Sequence, residues 1–434
     1  MSDAERPLPG AWGITFLVFL FMLINFADKA VVGLAATPMM HELKLTPEQF
    51  GLLGAAFYLL FPVSAVLAGV VADRRSAKPM LLAMALLWSV VQFPMIGAAT
   101  LPLLIGNRIL LGVAEGPAYP VAMHALYKWF PDALRALPTA IVAQGASAGV
   151  ILAVPALNWV IVDYTWHWAF GALGLAGLAW AALWLALGRE GTLVDPPIAK
   201  AQPADASKGG AVPYHLLLRC PTLAATCLVG LASGWGLSLV LTWFAAYMTD
   251  GLGFSQTLGG DLTVLPWVAG SAVILLGGWI SQTLSERGWS SRVSRGIFPC
   301  STMVLGGCIL LLVGAPQATW LKLVLLVFGM SIGSTIFVVV PIIVSEVVPQ
   351  AQRAAVLAIV NSVTTLAAIA APLVMGVVLE NAATRLAGYD RGFLLLGGLM
   401  TVGGVAGLLF IRPEIDRRKL AAAIRQPSSP RGQP

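Results

Sequence analysis

Much of the chain consists of long stretches that carry no Asp, Glu, Lys or Arg, and this pattern restricts the possible folds most strongly. About 20 apolar residues cross the hydrocarbon core of a bilayer as a helix. Runs this long and continuous do not alternate as the strands of a membrane barrel do. The sequence therefore predicts an all-α membrane protein. The runs cover 49–72, 79–107, 136–162, 164–188, 220–249, 262–285, 296–321, 323–345, 354–379 and 392–411.

Two further runs are long enough to cross a membrane if buried charges are tolerated. The run 11–36 contains Asp28 and Lys29, and the run 101–128 contains Arg108 and Glu115. Together the runs predict twelve transmembrane helices. Charged residues make up 11% of the chain, against roughly 25% in soluble domains. This composition excludes a soluble domain and a nucleic-acid-binding protein.

The positions of Lys and Arg predict the orientation of the helices. With the N-terminus inside, 20 of the 26 basic residues fall in inner loops and tails. Four fall outside, and Lys29 and Arg108 stay within the membrane. Because cytoplasmic loops collect basic residues, we expect a multi-pass protein of the inner (plasma) membrane with both termini in the cytoplasm.

A polar segment rich in Pro, Ala and Gly divides the helices into two sets of six. We expect an N-terminal six-helix half (1–188), a cytoplasmic linker (189–215), a C-terminal six-helix half (216–411) and a disordered tail (412–434). Two such halves with internal repeats are typical of secondary transporters. We therefore expect a monomeric transporter that needs no cofactor.

No motif for nucleotide hydrolysis or metal binding is present in the sequence. There is no P-loop, no H-E-x-x-H pattern and no paired His/Cys signature. The four cysteines form no CxxC pair and lie in or beside apolar runs, which is typical of small buried side chains. We therefore expect neither an enzyme nor a metal site.

The four charges within the predicted helices are candidates for a functional site, because an ionisable group in a bilayer costs several kcal/mol. Arg108 and Glu115 are seven residues apart and share one helix face, about 10 Å apart along the axis. Asp28 and Lys29 are adjacent and point roughly 100° apart, so each needs a partner on another helix or in a ligand. Ion pairs that only join helices are the alternative, at a large cost for adhesion alone.

A first resemblance comes from the inner end of the run 49–72, where the chain reads Gly69-Val-Val-Ala-Asp73-Arg74-Arg75. This segment resembles the loop motif of the major facilitator superfamily, although Ser76-Ala77-Lys78 replaces the usual Gly-Arg-Arg/Lys. The resemblance implies that family's fold, two six-helix halves around a midplane cavity. We expect Gly69 to pack closely, and Asp73, Arg74 and Arg135 to act in the contacts of the cytoplasmic helix ends.

A second resemblance involves three segments: Asn25-Phe-Ala-Asp28-Lys29, Arg108-Ile-Leu-Leu-Gly112-Val-Ala-Glu115-Gly-Pro-Ala-Tyr-Pro120, and Trp129-Phe-Pro with Arg135. They resemble the anion:cation symporter family, whose members carry organic anions, commonly sugar acids, with protons or sodium. Asn361 lies where that family has a pocket Asn.

This resemblance implies a role for each matching residue. Arg108 and Lys29 would bind the substrate anion, and Glu115 and Asp28 would carry protons, with Arg108 as the counter-charge of Glu115. The other pocket residues implied are Asn361, Gln144, Ser147, Phe26 and Phe61.

The chain departs from the family where Lys29 replaces an Arg and Phe26 and Phe61 replace tyrosines. A pocket with fewer donors disfavours a ligand with many hydroxyl groups. We therefore expect a proton-coupled symporter that imports a small organic carboxylate by alternating access, with sodium coupling left open. Two alternatives of the same fold stay open: a proton-driven efflux antiporter and a sugar-acid symporter for hexonates or hexuronates.

Overall fold

The computed structural model describes residues 6–72, 76–97, 99–131, 134–193, 212–349 and 352–425. Within these ranges all regular secondary structure is helical. The helices before the linker are α1 (Ala11–Leu34), α2 (Ala36–Leu43), α3 (Pro47–Leu59), α4 (Phe61–Ala72), α5 (Ala77–Gln92), α6 (Leu101–Glu115), α7 (Ala118–Tyr127), α8 (Ala136–Asp163) and α9 (Trp166–Leu187).

The helices after the linker follow in the same manner, joined in places by short 3-10 or π-helical turns. They are α10 (Tyr214–Leu218), α11 (Pro221–Thr242), α12 (Phe244–Ala246), α13 (Gln256–Leu262), α14 (Leu265–Glu286), α15 (Phe298–Leu311), α16 (Thr319–Ile332), α17 (Ile336–Val347), α18 (Arg353–Glu380), α19 (Arg385–Phe410) and α20 (Pro413–Arg425).

Eleven helical stretches in the described part of the chain are long and apolar enough to cross a membrane. The run 101–128 is not among them, because α6 ends at Glu115 and α7 begins at Ala118. Pro117 lies at this break, where its missing N–H cannot continue the helical hydrogen bonds. With α6 and α7 taken together, the prediction of an all-α bundle of about twelve helices is confirmed.

Two corners of the chain have the same local hydrogen bond. Arg135 Nε donates to the carbonyl oxygen of Phe130 at 3.0 Å. Arg353 Nε donates in the same way to Val348, also five residues earlier, at 3.1 Å. Each arginine stands at the start of a 28-residue helix, α8 or α18. The two corners share this local geometry, and the repeat expected from the six-plus-six layout stays a prediction.

The chain forms two compact units. The first contains 1–195, 238–268 and 368–392, and the second contains 196–237, 269–367 and 393–434. Within the first unit, Gln256 Nε2 donates to the carbonyl oxygen of Leu34 at 3.1 Å. The predicted division into six-helix halves by chain position stays a prediction.

The tail differs from its prediction. We expected disorder from residue 412, but Pro413–Arg425 forms α20. Pro413, Asp416 and Leu420 are buried along one side of it. The prediction of disorder was wrong for 413–425, because tertiary contacts compensate for the polar composition. Residues 426–434 lie outside the described ranges.

An aromatic cluster fixes α1 in the first unit. The ring centroid of Phe21 lies 4.6 Å from that of Trp88 on α5 and 4.8 Å from that of Trp180 on α9. Trp180 Nε1 also donates to the carbonyl oxygen of Leu17 at 2.7 Å. These contacts hold the middle of α1 in place, directly before the turns that carry Asn25, Asp28 and Lys29.

Candidate functional site

Three polar side chains on consecutive turns of α1 are buried. Asn25 is 1% exposed, Asp28 0% and Lys29 8%. Helix α8 lies against α1 just before them, since a Cβ at Gly149 would overlap the carbonyl oxygen of Leu23. This close approach needs a residue without a side chain, and it leaves no room for water between the two backbones.

Lys29 and Glu115 form a buried ion pair between α1 and α6. Lys29 Nζ lies 2.7 Å from Glu115 Oε2, and it also donates to Asn25 Oδ1 at 2.5 Å. The expectation that Lys29 finds its partner on another helix is confirmed. Arg108, which we expected as the counter-charge of Glu115, makes no ion pair with it among the described residues, although the two charges interact electrostatically. The Lys29 ammonium is the cation in direct contact with Glu115.

Asp28 also finds its partner on another helix, as expected. Its Oδ1 accepts a hydrogen bond from Gln92 Nε2, the last residue of α5, at 2.8 Å. Nearby, Asn107 Nδ2 donates to the carbonyl oxygen of Val91 at 2.6 Å. Gln92 and Asn107 are buried. Sequence reasoning missed both, because uncharged amides do not interrupt the charge-free run 79–107.

Arg108 lies against an aromatic ring. It is 3% exposed, and its guanidinium carbon lies 4.8 Å from the ring centroid of Phe57 on α3. One turn later, a Cβ at Gly112 would overlap the carbonyl oxygen of Phe57. Gly112 therefore allows α3 to approach α6 closely enough for the Phe57 ring to cover the guanidinium.

Aromatic rings surround the Lys29 ammonium. Its Nζ lies 4.7 Å from the ring centroid of Phe26, 5.6 Å from that of Phe57 and 5.9 Å from that of Phe61. Cation–π attraction at such distances stabilises an ammonium without supplying hydrogen bonds. The structure thus places Phe26 and Phe61 beside the central cation. Sequence reasoning missed Phe57, because no motif marked it.

The site concentrates buried polar atoms that have no hydrogen-bond partner among the described residues. A buried group without a partner costs about 1–3 kcal/mol, so a cluster of them indicates a place for water or a ligand. Donor N–H groups suit an anion, and carboxylate oxygens suit a proton or a cation. The atoms are Asn25 Nδ2, Asp28 Oδ2, Gln92 Oε1, Asn107 Oδ1, Arg108 Nε and Nη1, and Glu115 Oε1.

The four charges at this site balance. Asp28 interacts electrostatically with Glu115, Lys29 and Arg108, so the two cations and two carboxylates act as one group with a formal charge of zero. We call these four residues the charge cluster. Burial makes any net charge on the charge cluster costly.

The remaining predicted pocket residues lie on α8 and α18. Gln144 and Ser147 are half-buried on α8. Asn361 lies on α18 in the second unit and is exposed, and its carbonyl oxygen accepts from Thr365 Oγ1 at 2.9 Å. Their role in substrate binding stays a prediction.

The predictions made for the residues of the cytoplasmic loop motif differ in how they compare with the structure. A Cβ at Gly69 would meet no described atom within 4 Å, so the expected close packing there is wrong. Asp73 and Arg74 lie outside the described residues. Arg135 donates to the carbonyl oxygens of Phe130 and Tyr127, and its guanidinium lies 4.9 Å from the Tyr127 ring. It therefore holds the chain just after α7.

A carboxylate that sequence reasoning missed lies at the end of α9. Glu190 accepts hydrogen bonds from Ser76 Oγ at 2.6 Å, from the backbone amides of Lys78 and Ala77 at 3.0 and 3.1 Å, and from Lys128 Nζ at 2.5 Å. Burial acts to raise its pKa, but these four hydrogen bonds outweigh burial and lower the pKa from 4.5 to about 2. Glu190 thus caps α5 and ties it to the residue after α7.

Comparison with known families and proteins gives consistent matches over most of the chain. The family described as Major Facilitator Superfamily matches residues 18–372 and, in a second match, 288–432. A hexuronate transporter of Bacillus subtilis (strain 168) is 27% identical over 412 residues, covering 92% of this chain and 95% of the relative. A probable sulfoacetate transporter of Cupriavidus necator is 28% identical over 411 residues, covering 91% and 92%.

Two further comparisons extend this result. A D-galactonate transporter of Escherichia coli O6:H1 is 24% identical over 431 residues, covering 94% of this chain and 97% of the relative. Among solved structures, a D-xylose-proton symporter superimposes with a TM-score of 0.74 at 16% identity, covering 92% of this chain and 98% of that one. At this identity the superposition shows a shared fold.

Proposed function

Because the chain belongs to the major facilitator superfamily, we propose that it is a symporter that imports a small organic carboxylate together with a proton. Family membership makes it a transporter and not an enzyme, as the sequence predicted. The relatives that carry hexuronate, galactonate and sulfoacetate support an organic anion as the substrate. The proton and the direction of transport belong to the proposal.

The balanced charge cluster is the observation that carries the proposal. Arg108 offers two buried N–H groups that have no partner among the described residues, and a carboxylate would satisfy them. Its arrival gives the neutral charge cluster a net charge of −1 in a buried place. One proton on Glu115 or Asp28 restores neutrality, so a monocarboxylate would travel with one proton.

Lys29 provides the link between substrate and proton. Its ammonium now holds Glu115 at 2.7 Å. A substrate carboxylate that contacts Lys29 removes the counter-charge of Glu115, and a carboxylate without its counter-charge binds a proton more readily. When the substrate leaves, Lys29 pairs with Glu115 again and the proton is released. Competition for one cation would thus couple the two fluxes.

The rings around Lys29 indicate the type of substrate. Phe26, Phe57 and Phe61 offer no hydrogen bonds, so hydroxyl groups placed beside them would lose their hydration without compensation. We propose monocarboxylates with few hydroxyl groups, aromatic or short-chain. The hexuronate relative favours a second candidate, a sugar acid.

Orientation and assembly are also proposals. The inner-loop bias of the basic residues supports an inner-membrane protein with both termini in the cytoplasm. The site lies within residues of a single chain, which is consistent with a monomer as the transporting unit.

Uptake into proteoliposomes tests the coupling. With the interior alkaline, we expect a panel of labelled monocarboxylates to identify one that accumulates, and accumulation to be unaffected by a potassium–valinomycin potential. A matched Arg108→Ala preparation serves as the control and is expected to show none. Accumulation that follows a sodium gradient or the membrane potential instead would contradict proton symport, and release driven by external acid would indicate the efflux antiporter.

The same vesicles separate the two substrate classes. Unlabelled benzoate or a short-chain monocarboxylate should compete with the transported monocarboxylate more strongly than glucuronate or gluconate. Saturable uptake of a hexuronate that these competitors leave unchanged would favour the sugar-acid symporter.

A further inference from the structure

Only two residues separate helix α20 from the last membrane-spanning helix, since α19 ends at Phe410 and α20 starts at Pro413. Its 13 residues extend about 20 Å. It must therefore lie close to the membrane surface at which α19 ends. One side of α20 is buried. The basic residues Arg417, Arg418 and Lys419 on the rest of its surface are exposed, as is Arg412 directly before the helix.

The two carboxylates of α20 face the protein. Asp416 is 4% exposed, and its Oδ2 accepts from Thr222 Oγ1 at 2.7 Å and from the Thr222 backbone amide at 3.1 Å. Glu414 Oε1 accepts from the backbone amide of Ser291 at 2.6 Å. Asp416 thereby caps the first turn of α11, and Glu414 holds the turn before α15. These contacts fix α20 to the second unit.

The exposed surface of α20 is consequently positive. No carboxylate lies within 4 Å of Arg417 or Arg418 in the described part of the chain, and Lys419 is 3.9 Å from Asp416 with its side chain 72% exposed. Arg219, before α11, is exposed in the same unit. We call Arg412, Arg417, Arg418 and Lys419 the basic face of α20.

We propose that the basic face of α20 binds the headgroups of anionic phospholipids. Four basic side chains directly after a membrane-spanning helix are attracted to an anionic leaflet, each adding about fivefold to the affinity at low salt. A screening length of about 10 Å is comparable to the size of the helix, so headgroups at the end of α19 remain within reach. A soluble acidic protein is less favoured, because the lipid surface is always present there.

Bound lipid would act on the helices that α20 caps. Asp416 and Glu414 fix α20 to α11 and to the turn before α15. Lipid that neutralises the basic face would therefore stabilise α20 and, with it, these two contacts. The inference does not depend on the identity of the transported anion or on proton coupling.

Thermal unfolding of the full-length protein in detergent micelles tests the proposal. Phosphatidylglycerol or phosphatidylcholine is added, and the unfolding midpoint is followed by tryptophan fluorescence. We expect phosphatidylglycerol to raise the midpoint more than phosphatidylcholine, and added salt to reduce the difference. In the triple variant Arg417→Gln, Arg418→Gln, Lys419→Gln, about a hundredfold more phosphatidylglycerol should be needed for the same rise at low salt.

Two control variants keep the result interpretable. Lys44→Gln with Arg385→Gln removes exposed basic residues elsewhere in the chain and should respond to phosphatidylglycerol like the wild type. Arg417→Lys with Arg418→Lys keeps the charge and should also keep the response, even if the triple variant proves unstable. An unchanged response in the triple variant, or a loss in the charge-preserving variant, would overturn the proposal. An equal rise with soluble polyglutamate would assign the basic face to an acidic protein instead.

Discussion

Replacing Glu190 by Gln removes one charge from the place where three helices meet. The Glu190 carboxylate caps α5 through Ser76 Oγ and two backbone amides, and it pairs with Lys128 after α7. No side-chain hydrogen bond from Ser76 itself caps α5. A glutamine can still accept one or two of these hydrogen bonds, but without the charge that a helix N-terminus favours.

The size of the effect follows from the pKa of Glu190. A fall from 4.5 to about 2 corresponds to about 3 kcal/mol of preference for the charged form. The side chain is 30% exposed, and solvent screening reduces the contribution of exposed pairs. We therefore expect Glu190→Gln to lower the free energy of unfolding by roughly 1–2 kcal/mol and the unfolding midpoint by about 2–4 °C.

The pH dependence gives the sharper test. A carboxylate whose pKa is lowered by folding stabilises the fold fully above its unfolded value, and this contribution is lost as pH falls toward the folded value. The difference between wild type and Glu190→Gln should be constant from pH 8 to 5 and shrink from pH 4.5 toward about 2. Glu380→Gln, the same charge change at an exposed position, should show no such difference. A deficit that persists unchanged at pH 3 would refute the assignment.

Three more outcomes follow from the described geometry. Gly112→Ala should abolish transport and lower stability, because a methyl group would overlap the Phe57 carbonyl, whereas Gly69→Ala should leave both unchanged; transport and unfolding assays on the pair compare them directly. A cysteine introduced at position 44 should react with an impermeant reagent from outside, and one within 195–210 only after the vesicles are opened; the reverse pattern would contradict the orientation. Phe26→Tyr should improve competition by hydroxylated acids relative to benzoate, and an unchanged ranking would place the substrate away from this ring.

Sequence reasoning identified the charge cluster because charged residues are rare inside apolar runs. The cost of burying Asp28, Lys29, Arg108 and Glu115 marks them without knowledge of the fold. Asp28 and Lys29 point in different directions on α1, so the sequence also predicted that each needs a partner on another helix, as observed. Helix number and all-α class followed from the same pattern.

The partners themselves could not be predicted, because they depend on how helices cross. Lys29 and not Arg108 contacts Glu115, because the long Lys29 side chain reaches Glu115 from α1. Gln92 and Asn107 are uncharged amides, and one sequence does not distinguish buried amides that hold other groups from amides that face lipid. Phe57 covers the Arg108 guanidinium only because Gly112 lets α3 approach α6 closely, and this tertiary contact is not visible in the sequence.

The helix α20 was missed for a related reason. The segment after Arg412 is charged, and without tertiary contacts such a composition favours disorder. Its stability comes from Asp416 and Glu414 capping distant helix ends, which the local sequence does not record. The break at Pro117, which divides one span into α6 and α7, also depends on the surrounding packing.

The central claim is that Glu115 and the substrate carboxylate compete for Lys29, and Glu115→Gln tests it directly. The substitution removes the charge that must be protonated while leaving the anion site at Arg108. In vesicles that hold the variant, we expect labelled substrate to exchange across the membrane by counterflow as in the wild type, but not to accumulate under a pH gradient. Glu286→Gln, an exposed carboxylate outside the charge cluster, should behave as the wild type in both assays. Full gradient-driven accumulation by Glu115→Gln would show that the proton travels elsewhere and would contradict the mechanism.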